Sequence, residues 1–346
     1  MTDRARFLRR AGIGAAGVSL GQLLGPAAAH AGGGGGDFAG HPRWRFVFVS
    51  HDTLDPLFVA TQFGAQDAAS LVKCTVQWTG SPRGNAKETV QALHEAISRK
   101  ADGIAVSILD QGAFRAELAA ASAARIPVVA FNVESGSGRI PYVGENTYAS
   151  GVRVGAEIAR LVPRGRVVIF APGHADAYPG AERRLGGLKA GLARAPGQRD
   201  AAVVRLTAGA PRDQQKDVES TVAKFAPVRG LFAVDGAGTL AVGSAIKHLG
   251  LSANGVRGGG YDLLPGDLDL VTEGYLDFVV DQQPYIQGFT PVLQLFLARV
   301  SERTVIPWDT ETSVLLRAAD VERFVATKSR FEGSSSRHDF PLRPGG

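Results

Sequence analysis

Polar side chains stand directly behind short apolar runs along most of this chain. Asp55 comes after Arg45–Ser50, Asp110 after Gly103–Ile108, Asn132 after Ile126–Phe131, and Tyr178 and Arg184 after Arg166–Phe170. Asp235 follows Gly230–Val234, Asp262 follows Val256–Tyr261, and Gln282 follows the run that ends at Val280. Carboxylates accept hydroxyl hydrogen bonds, Asn and Gln donate and accept, and Arg donates in a fixed fork, which suits a neutral, hydroxyl-rich ligand. Aromatic faces at Phe58, Trp78, Tyr178 and Tyr261 would cover the C–H faces of a sugar ring. Each residue also has a plainer role open to it. Asp55 and Asp110 fit equally well as N-caps of the following helices, Arg184 as a solvated helix charge, Phe58 as core and Trp78 as strand-end packing. The set as a whole, drawn from both halves of the chain, points to carbohydrate binding without reaction.

Such groups meet only if the strands ahead of them are parallel and end at one edge, because ligands of open α/β sheets collect at the carboxyl ends of the strands. The pattern predicts this arrangement. Short β-branched runs alternate with helix-period segments, the signature of βαβ units. Strands are expected at 45–50, 74–78, 103–108 and 126–131, with helices at 58–71, 85–100 and 112–124 between them. After a short extended piece at Pro141-Tyr142-Val143 the pattern starts again. It runs through a helix at 152–161, strands at 166–170, 202–206, 230–234 and 256–261, and helices at 181–194, 213–225 and 240–249. The stretch Gly255–Phe296 then reads as strand, turn, short helix, strand, turn, long helix, and 304–317 as extended chain returning. Two similar halves make two doubly wound α/β lobes. A TIM barrel is the competing fold at this length, ranked second because the second half restates the first.

At 346 residues the chain is long for one core, and with 45% hydrophobic and 21% charged residues it has the composition of a globular protein. Residues 1–31 read as an export signal: Arg4, Arg6, Arg9 and Arg10 precede a weakly apolar run that ends in the A-x-A pattern Ala29-His30-Ala31. The pattern resembles an imperfect twin-arginine signal. Gly32–Gly36 is then a flexible spacer, and the residues from Ser329 onward have the composition of a disordered tail. Without the signal the formal net charge of +5 drops to about +2, and no helix carries a basic stripe, so nucleic acid is not an expected partner. The one cysteine, Cys74, sits inside an apolar strand and reads as a small buried hydrophobe.

Enzyme chemistry has few footholds. Gly236-Ala237-Gly238-Thr239-Leu240-Ala241 follows a strand and opens a helix, as a dinucleotide fingerprint must, but the Asp235 charge just ahead of it would oppose a pyrophosphate. His174 with Asp176 is the one suggestive nucleophile-and-base pair, and it follows Pro172-Gly173 in a turn. No HExxH, CxxC or Walker pattern occurs. The expectation is a binding protein with no enzymatic activity and no cofactor.

Several motifs together resemble one family. Asp55-Pro56-Leu57-Phe58-Val59-Ala60 leads into Gly64-Ala65; Gly103-Ile104, Ile126-Pro127-Val128-Val129, Tyr142-Val143-Gly144-Glu145-Asn146 and Arg184-Leu185-Gly186-Gly187-Leu188 follow; and Gly260-Tyr261-Asp262 with Asp281-Gln282-Gln283-Pro284-Tyr285 completes the set. Over residues 44–325 the chain is similar to the ribose-binding-like sugar-binding proteins of ABC importers, the type I periplasmic binding proteins. That resemblance implies two Rossmann-like lobes joined by three crossovers. It assigns 44–142 with 284–310 to the first lobe and 143–283 with 311–328 to the second. It further implies a monomer, periplasmic or extracellular, that closes on a pentose, hexose, polyol or inositol and delivers it to a permease. Carried over position by position, Asp55, Phe58, Asn132, Arg184, Asp235, Asp262 and Gln282 become ligand contacts, beside Asp110, Tyr178 and Tyr261 from the strand-end reading. Leu57 stands where the family has an aromatic, and Val133 where ribose binders have an arginine, which argues against ribose in its usual pose. The same fold also serves as a sensory partner of membrane kinases, through the same cleft, and as the effector domain of LacI-type repressors. The repressor reading fails because residues 1–43 hold no helix-turn-helix.

Overall fold

The computed structural model describes residues 40–133, 140–173, 179–207, 211–264, 266–302 and 310–321. The export-signal stretch, most of the spacer, His174, Asp176, Tyr178 and the tail lie outside the described residues.

Within the described residues the chain builds two six-stranded sheets rather than one barrel. The first contains β1 (Arg45–Ser50), β2 (Thr75–Gly80), β3 (Gly103–Val106), β4 (Val128–Phe131), β5 (Tyr142–Gly144) and β11 (Thr310–Glu311), in the order β11-β5-β4-β3-β1-β2. All its pairs are parallel. The second contains β6 (Arg164–Pro172), β7 (Gln198–Leu206), β8 (Val228–Ala233), β9 (Arg257–Tyr261), β10 (Phe278–Asp281) and β12 (Val314–Arg317), in the order β12-β10-β9-β8-β6-β7. Only β12, against β10, is antiparallel there.

Both faces of each sheet are covered, so the strands read as nearly continuous apolar runs. In β1, Phe46 and Phe48 face the core shared with α1 (Leu57–Leu71) and α9 (Pro284–Ser301), while Val47 and Val49 face α2 (Ala86–Ser98) and α3 (Gln111–Ala123). In β6, Val167 and Ile169 face α4 (Thr147–Leu161) and α5 (Pro179–Arg194), while Val168 and Phe170 face α6 (Pro211–Phe225) and α7 (Gly236–His248). The short helix α8 (Asp267–Thr272) joins that second core.

In each lobe one helix pair packs backbone to backbone through glycine. A Cβ on Gly64 of α1 would meet the backbone of Tyr285 and Phe289, and one on Gly288 of α9 would meet Thr61 and Ala65. Gly151 and Gly155 of α4 stand in the same relation to α5, and Gly187 and Gly191 of α5 to α4.

Some boundaries differ from expectation for local reasons. Helix α4 starts at Thr147, five residues before its apolar periodicity begins, because Asn146 caps it by accepting from the Ala149 amide at 3.0 Å. Strand β7 extends back to Gln198 because β6 offers it a matching edge as far as Arg164.

The chain crosses between the sheets after β5, after β10 and after β11, and the crossings are bonded to one another. Thr312 N donates to Gly144 O at 3.1 Å and Asn146 N to a Glu311 carboxylate oxygen at 2.6 Å. Thr312 Oγ1 donates to Gln282 O at 2.6 Å, and Gln287 Nε2 donates to the same carbonyl at 2.9 Å. Gln283 has φ +51 and accepts no side-chain cap role; its amide is held by Asp281 Oδ1 at 2.7 Å.

Candidate functional site

The parallel strands deliver their following residues to one edge of each sheet. In the first sheet these are His51 behind β1, Ser107 behind β3 and Asn132 behind β4; in the second they are Asp235 behind β8, Asp262 behind β9 and Gln282 behind β10. Asp55 opens α1 from the first sheet's side, and the Asp262 charge reaches it from the other. The two carboxyl edges therefore face one another across the crossings.

The carboxylates of this site share one environment. Burial pushes the Asp55 carboxyl up to about 7, against the Leu57 amide that its Oδ1 accepts at 2.9 Å, and the charges of Asp262 and Asp52 raise it further. Asp235 is raised to about 6, chiefly by burial and then by Asp262, with the Gly238 amide at 3.0 Å and Arg184 pulling the other way. Asp267, fully buried and bonded through Oδ2 to the Leu264 amide at 2.8 Å, is raised well above the ordinary carboxylate range, again by burial and by Asp262. Asp262 has φ +71 and accepts from Gln282 Nε2. It is the charge that the other three have in common.

Other expected contacts take supporting places. Arg184 is fully buried. Its Nε donates to Glu145 at 2.9 Å and its Nη1 to the Val234 carbonyl at 3.0 Å, Nη2 also binds Glu145, and its guanidinium lies 4.2 Å over the Tyr261 ring. Tyr261 is itself fully buried, 3.2 Å from the Ser150 hydroxyl. Phe58 packs in an aromatic cluster with Phe131 and Trp78, all fully buried. Asp110 is exposed and caps α3, accepting from the Gly112 amide at 2.7 Å. Asn132, with φ +60, donates through Nδ2 to Gln287 at 3.1 Å and so ties β4 to the crossings. In this structure core packing, an ion pair or a helix cap engages these four side chains, Arg184, Tyr261, Phe58 and Asp110. Tyr178 lies outside the described residues.

The structure adds residues that the strand-end argument passed over. His51 is buried edge-on against Phe58 at 5.4 Å, burial lowers its imidazole to about 4, and Nδ1 has no hydrogen-bond partner among the described residues. Ser107 is fully buried, and among the described residues neither its hydroxyl nor the buried Gln282 Oε1 has a hydrogen-bond partner. Both His51 and Ser107 lie one residue past a strand, so a strict reading of strand ends would have found them. A cavity of about 780 Å³ lined by Trp44, Pro127, Pro141 and Arg299 lies at the amino ends of the first sheet, away from these groups. The dinucleotide reading meets a further obstacle, since the Gly238 amide that a phosphate would use is taken by Asp235.

The raised carboxyls make the ligand-free fold sensitive to pH. Asp55, Asp235, Asp52 and Asp267 hold protons in the folded state that they release in the unfolded chain above about pH 4. Stability therefore falls as pH rises through the window up to about 7. His51, lowered to about 4, has the opposite slope below its ordinary value of 6.5 and offsets one carboxyl there. Melting of the ligand-free protein from pH 5 to pH 8 should show a net fall of a few degrees, and Asp55→Asn should flatten the part above pH 6. An unchanged slope in that variant would mean that Asp55 titrates normally.

Comparison with known proteins agrees with this architecture. The sequence profile of the periplasmic binding protein domain matches residues 46–298. A xylose/arabinose-binding protein from Sulfolobus acidocaldarius is 37% identical over 317 residues, covering 86% of this chain and 77% of that protein. Among solved structures, a solute-binding protein from Burkholderia graminis in complex with D-arabinose superposes with a TM-score of 0.71 at 24% identity, over 80% of this chain and 96% of that one. A carbohydrate transporter from Acidothermus cellulolyticus in complex with myo-inositol gives a TM-score of 0.71 at 21% identity, over 85% and 100%. With this sequence match over most of its length and two parallel-rich lobes whose strands end at facing edges, the chain belongs to the periplasmic binding protein domain family.

Proposed function

We propose that this chain captures a small neutral sugar or polyol, a pentose, hexose or inositol, between the two carboxyl edges and presents it to the permease of an ABC-type importer. The observation that carries the reading is the meeting of Asp55 from one sheet with Asp235, Asp262 and Gln282 from the other, each with an oxygen that no donor among the described residues takes and that a ligand hydroxyl can use. His51, Ser107 and Asn132 complete the first-lobe side. Arg184, Glu145, Tyr261 and Phe58 brace the contacts from behind, and Asp110 serves its helix. The lobes are 44–142 with 284–310 and 143–283 with 311–328. The three bonded crossings form the hinge on which they close, and a ligand that bridges both lobes favours the closed form by its differential contacts. The names of the relatives, which bind arabinose, xylose or inositol, support a ligand of this size. The protein works as an exported monomer, and residues 1–31 are its export signal.

A thermal-shift series tests this directly. The purified chain is melted with D-xylose, L-arabinose, D-galactose, D-allose and myo-inositol, with NAD and ATP as controls. A ligand at 100 times its dissociation constant stabilises by about 2.7 kcal/mol, which raises the melting temperature by several degrees. A shift with one of the polyols and none with the nucleotides is expected. A flat response to every polyol would sink the proposal.

A further inference from the structure

The hydrogen-bonding groups of the cleft are lopsided. Asp55 Oδ1 accepts from Leu57 N, Asp235 Oδ1 from Gly238 N and Asp262 Oδ1 from Gln282 Nε2, and the second oxygen of each carboxylate has no donor among the described residues. Gln282, 2% exposed, spends its amide nitrogen on Asp262 and holds its oxygen buried and unpartnered beside it. Arg184, the buried cation in reach of Asp235, is turned on Glu145 and the Val234 carbonyl. Glu145 even retains one buried oxygen without a partner. Among the described residues, the Ser107 hydroxyl and the His51 imidazole are the unpartnered groups able to donate, against four acceptor groups with three carboxylates among them, so the cleft asks its ligand chiefly for donors.

Resting on the reading that this cleft holds a polyhydroxylated ligand, we infer that it also selects by charge: it takes neutral polyols and their protonated amino-deoxy derivatives, and refuses uronates, aldonates and sugar phosphates. An ammonium in place of a hydroxyl brings three donors and no acceptor, and its hydrogen bonds to carboxylates are roughly twice as strong as neutral ones. An anionic substituent would instead bring like charge close to the half-buried Asp55, Asp235 and Asp262, where the repulsion is stronger than between charges in bulk water. Burial first, and then the nearby Asp262 charge, raise Asp55 and Asp235 above the ordinary carboxylate range, and an entering ammonium opposes both effects. A divalent cation is a poorer match, since no group of three His, Cys, Asp or Glu side chains among the described residues is placed to hold a metal.

Calorimetric titration of the full chain at pH 7.5 separates this inference from the reading beneath it. Three matched sets serve as probes: D-galactose, D-galactosamine and D-galacturonate; D-glucose, D-glucosamine and D-glucuronate; myo-inositol, its amine with retained configuration (1-amino-1-deoxy-myo-inositol) and myo-inositol 1-phosphate. D-Xylose and L-arabinose are added as the neutral pentoses that the two uronates extend. In a set whose neutral member binds, the amine is expected to bind within about threefold of it or more tightly, and the acid or phosphate at least about 100-fold more weakly. Asp235→Asn, which puts a donor where an acceptor stood, should lower the ratio of amine to neutral affinity by about tenfold. Its folding is checked by the melting temperature without ligand. An acid that binds within tenfold of its neutral parent, an amine that binds 30-fold or more weakly, or an unchanged ratio in Asp235→Asn would overturn the charge selection and leave the sugar-binding reading standing. Failure of every neutral probe would overturn both.

Discussion

Asp262→Asn is expected to weaken ligand capture by about 100-fold or more while leaving the ligand-free protein at least as stable as the parent. The loss follows from charge-assisted hydrogen bonds, worth about 1.5–3 kcal/mol each, of which a carboxylate facing a diol makes two. Stability holds for two reasons. Asn tolerates the left-handed backbone at this position, φ +71, where alanine would cost about 1–2 kcal/mol, and its amide oxygen still accepts from Gln282. The lost charge also adds to the burial that raises Asp55, Asp235 and Asp267, so its removal relieves each of them in part. Calorimetric titration with the sugar identified in the thermal screen, beside urea unfolding without ligand, reads both effects. An unchanged dissociation constant would remove Asp262 from the site.

Gly288→Val should abolish stable folding of the first lobe. A Cβ at this position falls inside contact distance of the Thr61 carbonyl oxygen and 2.8 Å from the Ala65 nitrogen, both backbone atoms of α1 that cannot step aside as a side chain would. Relief requires α9 to move away from α1 and to open the core of Val292, Leu295 and Phe296 against Phe46 and Phe48. Overpacking alone costs about 1–3 kcal/mol, and separating two helices costs more, against a total stability of about 5–15 kcal/mol. Gly186→Ala on α5 is the control. Nothing lies within 4 Å of its added methyl, and a helical Gly→Ala exchange is worth about 0.5–1 kcal/mol in the stabilising direction. Urea midpoints of the two variants should move in opposite directions; a native-like midpoint for Gly288→Val would mean that the helices are free to separate.

The sheets were legible because fully buried parallel strands announce themselves as unbroken apolar runs, as in Arg45–Ser50 and Gly230–Val234. The edge strand β11 was legible only as part of the extended stretch 304–317, since its two residues carry no pattern of their own and pair because β5 offers them an edge. That Asp55, Asp235 and Asp262 come near one another could be read because each follows a strand. What Arg184 does could not, because its partner Glu145 lies 39 residues earlier and only the packing of α4 against α5 brings them together. The same holds for Gln287, which meets Asn132 across 155 residues. Phe58 and Tyr261 illustrate a different gap: sequence places an aromatic at the edge of a sheet, but the layer of helices decides whether its face meets solvent or core.

The two glycine-lined helix pairs differ in one respect that bears on how the protein is made. In the second lobe, α4 and α5 are neighbours in sequence, and they can pack as soon as both exist. In the first lobe, α1 waits for α9, which begins at Pro284, more than 200 residues later. Until that helix arrives, Phe46, Phe48, Phe58 and Ala65 lack half of the layer that covers them. Closing so long a loop is slow, so the amino-terminal half of the chain stays unfinished through most of its own synthesis. On the proposed reading of an exported chain, a lobe that cannot complete itself early is one that is still free to pass through a membrane.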